Sequence, residues 1–289
     1  MVGASVWKFT FAVFLGGVAG MAVHSSPARA HEFWLAPSAY VASVGDTVRV
    51  SAFSGMGFRG EARRYAHARV VRFVAVDAER TDLADSGLEG DSVFASVVAR
   101  DAGGLLIAYE SNAASIELPG AEFDRYLEED GLDVPLALRR ASGVKDGLQR
   151  ERYARRAKTW VSGPSWRRAC TVTGLALELV PLADPGCEQH LSLRVLFRGR
   201  PLVGGVVRAW RQPLEPGTVV RGRARRDSVG FVAEARSDKQ GVVHLHMAGE
   251  GEWLVSCVHM VRSDDVTKSD WQSWWASLTF GRSASEPRR

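Results

Sequence analysis

Short apolar runs, several of them alternating with polar residues, follow one another at regular intervals over residues 33–116. Alternation with a period of two puts successive side chains on opposite faces of a strand, and turn-forming residues separate the runs. A series of short strands with this spacing is typical of an antiparallel β-sandwich. We therefore predict an N-terminal β-sandwich domain over residues 31–118, with strands near residues 41–44, 47–52, 69–76, 92–98 and 105–110.

Residues 54–61 contain three glycines and separate two of these predicted strands. A stretch so rich in glycine predicts a loop. Two interpretations of the loop stay open: a flexible connection, or a segment shaped to close over the start of the domain.

The pattern changes to helical spacing in the middle of the chain. Phe123, Tyr126 and Leu127 recur at helical intervals within residues 121–131, which predicts one short helix. Residues 135–161 mix apolar positions with many basic residues, and we interpret them as helix-rich too. We therefore predict a helical connector over residues 119–165.

A second series of strand patterns follows and predicts a C-terminal β-sandwich domain over residues 166–281. The turn at residues 198–201 predicts a hairpin between residues 191–197 and 206–210. The fold class is mainly β: two antiparallel β-sandwich domains of immunoglobulin or transthyretin-like type, with a helical insertion between them. Residues 282–289 are predicted to be a disordered tail. The predicted strands lie near residues 174–181, 191–197, 206–210, 231–235, 242–247 and 253–260.

Residues 1–30 have the three parts of a secretory signal peptide. Lys8 is an early cation, residues 9–23 are almost entirely apolar, and the segment ends in the small-residue pattern Ala28-Arg29-Ala30. The apolar run is shorter than the ~20 residues of a membrane-spanning helix. We expect cleavage after Ala30 and a periplasmic or secreted location, with His31 as the first residue of the mature protein.

The composition indicates a folded chain and limits the kind of partner that it can bind. The 289 residues are 46% hydrophobic and include nine tryptophans, which is enough to fill two cores. The net charge of +4 falls to +2 with the signal peptide, because Lys8 and Arg29 are its only charged residues. So small a charge argues against nucleic acid as a partner. The three cysteines leave a pairing of Cys170 with Cys187 open.

The N-terminal position makes His31 the leading metal-ligand candidate. A free terminal histidine offers two nitrogens, the α-amine and the imidazole Nδ1, which can chelate nickel, cobalt, copper or zinc. His259 is the second candidate, because it lies near the end of a predicted strand just ahead of Asp264 and Asp265. Imidazole and carboxylate ligands suit the same metals. The sequence therefore predicts a metal site formed by these four residues, His31, His259, Asp264 and Asp265.

Other polar and aromatic residues have less specific patterns. His244 and His246 lie on one face of a predicted strand, a spacing that can bind a metal but is typical of an exposed polar face. Trp271, Trp274 and Trp275 predict either a packed face or a platform for stacking sugars. We favour exposure for the two histidines and packing for the tryptophans.

Several stretches together resemble the DUF4198 family. They are the mature start His-Glu-Phe-Trp-Leu, the glycine segment 57–61, residues 123–132, the strand 174–181 and the tryptophan-rich ending 253–280. The resemblance spans essentially all of the mature chain. It implies a periplasmic protein associated with nickel or cobalt uptake, whose second domain resembles transthyretin-like or carboxypeptidase-regulatory-like modules.

These observations lead to one functional hypothesis and two alternatives. The first is a nickel- or cobalt-binding accessory protein that serves a membrane transporter, with copper or zinc as other ions the ligands would accept. The alternatives are a metal-free carbohydrate- or envelope-binding module, and a copper oxidase with a histidine brace built from His31 and His259. The sequence has no catalytic triad, phosphate loop or Cys-x-x-Cys pattern, so we do not expect an enzyme.

Overall fold

The computed structural model describes residues 32–143, 147–186, 189–214 and 230–282. The predicted signal peptide, His31, Cys187 and nearly all of the predicted tail lie outside these residues. Two α-helices, α1 (Gly120–Glu129) and α2 (Asp133–Ala141), and two short 3-10 helices are present. The strands are β1 (Glu32–Pro37), β2 (Thr47–Met56), β3 (Arg59–Ala62), β4 (Val70–Val76), β5 (Arg80–Asp82), β6 (Val93–Val98), β7 (Leu105–Ser111), β8 (Ala114–Pro119), β9 (Leu148–Val161), β10 (Leu177–Pro181), β11 (His190–Phe197), β12 (Arg200–Pro201), β13 (Val206–Gln212), β14 (Gly230–Arg236), β15 (Val242–His246), β16 (Gly251–Arg262) and β17 (Trp271–Arg282).

The strands form one large central sheet between two smaller ones. The central sheet has nine strands in the order β14-β13-β16-β17-β9-β7-β4-β5, with β8 also paired to β9. Its pairs are antiparallel except for β9 and β17, which run parallel. The predicted class, mainly β with sandwich-like layers and a helical insertion, is confirmed.

The two faces of the central sheet are covered differently. We call the face that carries Ser277 and Thr279 the front face, and the face that carries Trp274 and Leu278 the back face. The sheet β1-β2-β3, to which β6 is paired, packs on the front face around Phe73, Ile107 and Ala157. The helices cover the front face farther along, over Met260 and Trp275. The sheet of β10, β11, β12 and β15 packs on the back face.

The central sheet runs through both predicted domains. β4, β5, β7 and most of β8 come from the predicted N-terminal domain, β9 comes from the predicted connector, and β13, β14, β16 and β17 come from the predicted C-terminal domain. The parallel pairing of β9 with β17 joins these parts of the chain over the register from Glu151–Trp271 to Trp160–Phe280. The division into separate domains stays a prediction. Neither helix in the described part of the chain has the length and apolar character that crossing a bilayer would require.

The helical prediction is right for residues 121–131 and wrong for the later part of the connector. Helix α1 buries Phe123, Tyr126 and Leu127, as their spacing predicts. A short second helix, α2, follows, but residues 148–161 form strand β9 in the middle of the central sheet.

The charged residues of β9 explain why the local sequence pattern does not predict a strand here. Arg156 and Lys158 occupy buried positions, where an alternating pattern would have apolar residues. Each pairs with a carboxylate: Arg156 Nη2 with Glu110 at 2.7 Å and Lys158 Nζ with Glu178 at 3.0 Å. Buried charges with such partners are tolerated in a sheet, but the partners come from other strands and cannot be read from the local pattern.

Three further predictions, of a loop, a strand and a hairpin, also need correction. The glycine segment is no open loop, since β2 and β3 form a hairpin through it with Gly55 opposite Gly60. Residues 41–44 form no strand: Val41 makes an isolated bridge to Ser162, and of the four residues only Ala42 packs against the core, while the others are exposed. The predicted hairpin between residues 191–197 and 206–210 does not form, since β11 pairs with β10, β12 and β15 while β13 belongs to the central sheet.

Candidate functional site

Strand β1 holds the start of the described chain firmly against the front face. All six of its residues are buried, and Glu32 pairs with Gly55 of β2. The hydroxyl groups of Ser277 and Thr279 donate hydrogen bonds to the carbonyl oxygens of Phe33 and Leu35, each at 2.6 Å. His31 itself lies outside the described residues, but the residue that follows it is fixed in position.

The Glu32 side chain is buried beside β16. The Ser256 hydroxyl donates a hydrogen bond to Glu32 Oε1 at 3.4 Å. Burial, and then the nearby negative charge of Asp130, raise the pKa of Glu32 to about 7, against a smaller opposing effect of Arg208. The contact with Ser256 places the Glu32 carboxyl on the front face.

His259 lies on the back face, within an aromatic cluster. Its ring centroid is 4.5 Å from that of Phe197 and 6.5 Å from that of Trp274. Burial, and then the positive charge of Arg198, lower the pKa of His259. A neutral imidazole can bind a metal, but the arginine opposes a second cation. Ser256 and His259 are three residues apart on β16, so they point to opposite faces of the sheet, and Glu32 and His259 are not brought together.

Asp264 and Asp265 lie in the turn between β16 and β17. Asp264 is exposed. Asp265 is part of the turn structure: its Oδ1 accepts a hydrogen bond from the Thr267 hydroxyl at 2.5 Å, and its Oδ2 lies 2.8 Å from Lys268 Nζ. The hydrogen bond with Lys268, and then that with Thr267, lower the pKa of Asp265 to about 2. The carboxylate thus already has a cation beside it.

The described residues include no group of three or more histidine, cysteine or acidic side chains placed to hold a metal ion. His259, Asp264 and Asp265 therefore make no complete site on their own. A site that includes His31 stays a prediction.

An exposed histidine pair lies on the outer side of the small sheet that covers the back face. His190 of β11 and His246 of β15 are paired across the two strands, and their ring centroids are 4.8 Å apart. His244, one position along the same face, has its Nδ1 2.8 Å from the Ser192 hydroxyl. We call His190 and His246 the histidine pair. The alternation at residues 242–247 predicted the exposure of His244 and His246, whereas the role of His190 depends on a strand register that only the structure shows.

The three tryptophans of the last strand are packed, as expected. Trp271, Trp274 and Trp275 are all buried, and they lie on both faces of β17 rather than on one. The Trp271 indole N–H donates a hydrogen bond to Gln149 Oε1 at 3.1 Å. None of the three offers an open ring face on which a sugar can stack.

Comparison with known families gives one match. The family described as "Domain of unknown function (DUF4198)" matches residues 28–261, most of the chain. A search of curated proteins found no match.

Proposed function

Since this chain belongs to the DUF4198 family of unknown function, we propose that it is an extracytoplasmic binding protein for a divalent transition metal. The cargo is nickel or cobalt, and His31 supplies the first two donors through its α-amine and imidazole. The protein passes the ion to a membrane transporter. The proposal involves no chemical step on the metal.

The anchoring of β1 is the observation that carries this proposal. A chelating terminus binds more tightly when it does not have to be ordered on binding. Burial of the whole strand and the hydrogen bonds from Ser277 and Thr279 immobilise the chain from Glu32 onward. Cleavage after Ala30 would then leave a terminal amine only one residue away from a rigid anchor.

The histidine pair is the alternative location for the same ion. Two exposed imidazoles facing each other across neighbouring strands can both coordinate one transition-metal ion, with water completing the coordination. Because His190 and His246 lie on the outer side of the sheet behind the back face, and Glu32 lies on the front face, the two locations can be tested separately.

Calorimetric titration of nickel and cobalt into four forms of the mature protein tests the proposal. The forms are the chain beginning at His31, the same chain with one extra alanine in front, His31→Ala, and the double variant His190→Gln/His246→Gln. The extra alanine moves the α-amine away from the imidazole but keeps every side chain. We expect it to weaken binding at least tenfold, or ~1.4 kcal/mol, and the double variant to bind like the unmodified protein.

The outcomes separate the function from the site. If the double variant loses affinity and the alanine extension does not, metal binding stands but moves to the histidine pair. If all four forms bind no more tightly than a denatured chain, the metal-binding function is wrong. Copper titrated in parallel shows whether nickel and cobalt are preferred.

A further inference from the structure

A small cavity with a strongly positive lining opens between the N-terminal strands and β9. Its volume is about 120 Å³. Four arginines line it, from the segment that follows β3, from the short helix before β4 and from β9: Arg63, Arg64, Arg69 and Arg155. No carboxylate appears among the lining residues of the described chain. Aromatic rings, including those of Phe33, Tyr109 and Tyr153, form much of the remaining lining, together with the small or polar residues Ala66, Ser111, Asn112 and Ala114.

Arg155 is largely withdrawn from water, and none of the described residues supplies a counter-charge to it. Its guanidinium carbon lies over the rings of Phe33 and Tyr153, 5.5 and 5.4 Å from their centroids. Its Nε is buried, and no group in the part of the chain that the structure describes accepts a hydrogen bond from it. A buried donor without an acceptor is costly and calls for an explanation.

The neighbouring charges increase that cost. Burial, and then the positive charges of Arg63 and Arg69, lower the pKa of Arg155, and only the two tyrosines Tyr153 and Tyr109 act in the opposite direction. Arg69 Nη1 donates a hydrogen bond to the neutral Asn112 side chain at 3.4 Å, which cancels no charge.

We propose that this cavity binds a small organic carboxylate, with the carboxylate held by Arg155 and the apolar part of the ligand against the aromatic walls. A carboxylate oxygen would supply the acceptor that Arg155 Nε lacks, and an arginine fork binds the two oxygens of a carboxylate well. Arg63 and Arg69 add attraction for the negative charge at the rim.

The walls and the volume favour a carboxylate over inorganic phosphate or sulfate. A bare inorganic anion would make no apolar contact with the part of Phe33 and Tyr109 that faces the cavity. A closed cavity of roughly 150 Å³ binds benzene, so a cavity of 120 Å³ that opens at a rim of exposed arginines accommodates an organic anion such as benzoate when part of the anion stays at the rim. A sugar or a nucleotide would not fit.

A larger groove of about 590 Å³ on the outer side of β10 and β11 carries no comparable signal. It is lined by apolar residues such as Val180 and Leu196 together with Arg194. Among the described residues, none of its polar side-chain atoms is both buried and unpaired.

Calorimetric titration at low ionic strength tests the carboxylate site in the metal-free mature protein. The ligands are benzoate, acetate, benzyl alcohol and inorganic phosphate. We expect benzoate to bind more tightly than acetate, because of its apolar body, and benzyl alcohol not to bind, because it has no charge. Arg155→Gln should weaken benzoate binding about 10- to 100-fold, as expected for the loss of a charge-assisted contact.

Two sets of variants serve as controls. Arg63→Gln and Arg69→Gln change exposed residues at the rim, so they should fold normally and weaken binding only a few-fold. Arg194→Gln removes one exposed cation on a different sheet and should leave binding unchanged. Equal benzoate binding by the Arg155→Gln and unmodified proteins would overturn the proposal. So would binding of phosphate without binding of benzoate, or no binding at all. Because no metal is present, these results are independent of the proposed metal function.

Discussion

Lys158 and Arg155 lie three residues apart on β9 and show two different ways of burying a positive charge. On the back face, the Lys158 ammonium donates hydrogen bonds to Glu178 Oε1 at 3.0 Å and to two backbone carbonyls. On the front face, Arg155 has aromatic rings beside it and no carboxylate among the described residues that line its cavity. The charge of Lys158 is neutralised by a carboxylate of the fold itself, whereas the charge of Arg155 is available to an anion from outside the chain.

The surroundings of Glu178 extend the contrast. This carboxylate also accepts hydrogen bonds from the backbone N–H groups of Thr173, Gly174 and Leu175. Burial alone would raise its pKa, but Lys158 and these donors lower it overall. The pair is therefore satisfied on both sides, and the folded state depends on keeping both partners.

Lys158→Met should give the largest effect. It leaves Glu178 buried without a cation, and breaking such a pair typically costs about 3–5 kcal/mol of unfolding free energy. Urea unfolding followed by tryptophan fluorescence measures the loss. Lys158→Met/Glu178→Gln removes both charges and should recover part of it. A loss below about 1 kcal/mol in the single variant would show that the pair does not stabilise the fold.

Glu151 is the acidic counterpart of Arg155: a buried carboxyl on β9 with no cation beside it among the described residues. Its Oε1 accepts hydrogen bonds from Tyr126, at 3.1 Å, and from Ser273, while its Oε2 is buried without a partner in the described chain. Burial is the main reason that its pKa rises from 4.5 to about 7.

This raised pKa predicts a pH dependence of stability. The folded state holds the proton more tightly than the unfolded state, so this contribution is fully present below pH 4.5 and is lost as the pH rises to about 7. Glu151→Gln should therefore unfold with about 3 kcal/mol more free energy than the unmodified protein at pH 8, at 1.36 kcal/mol per pKa unit, and with nearly the same value at pH 4. Urea unfolding at both pH values measures the difference. An equal effect at both would mean that Glu151 does not titrate in this range.

Arg155→Met should have the smallest effect on stability. It removes a cation that has no counter-charge in the part of the chain that the structure describes, and it retains much of the side-chain volume, so we expect a change within about 1 kcal/mol in anion-free buffer. The matched control is Arg156→Met, which leaves the buried Glu110 with only the longer 3.9 Å contact to Arg72 Nε and should cost about 3 kcal/mol. Equal losses of unfolding free energy in Arg155→Met and Arg156→Met, measured by urea unfolding, would contradict the distinction between a paired and an unpaired arginine.

Much of the fold was predictable because its strands follow the local alternation. The run at residues 191–197 became β11 with its apolar positions facing the core, and helical spacing identified α1. β9 was missed because its buried cations break the alternation, and their partners Glu110 and Glu178 are distant in sequence. Pairing of β11 with β15 was missed because strand order depends on packing rather than on which turn comes next.

The candidate sites also differ in whether the local sequence or only the tertiary structure identifies them. The cleavage pattern alone identified His31 as a candidate metal ligand, and the anchoring of Glu32 on β1 supports a rigid mature terminus. His259 was a candidate ligand because of its position in the sequence. In the structure, however, His259 lies on the back face of the central sheet, whereas Glu32 contacts Ser256 on the front face. Arg155 gave no signal in the sequence, because an arginine in a basic stretch is ordinarily solvated.

The sequence by itself determined the β-rich class, the first helix and membership of the family, because these depend on local periodicity and on residues read in order. Only the tertiary structure decided that β9 joins the parts of the chain before and after it into one sheet, which charges are paired, and that Arg155 lies in a cavity with no carboxylate among the described lining residues. Those features depend on electrostatic and packing partners that come from distant parts of the chain. The same local pattern of basic residues is therefore compatible with a solvated surface, a buried ion pair or a binding cavity.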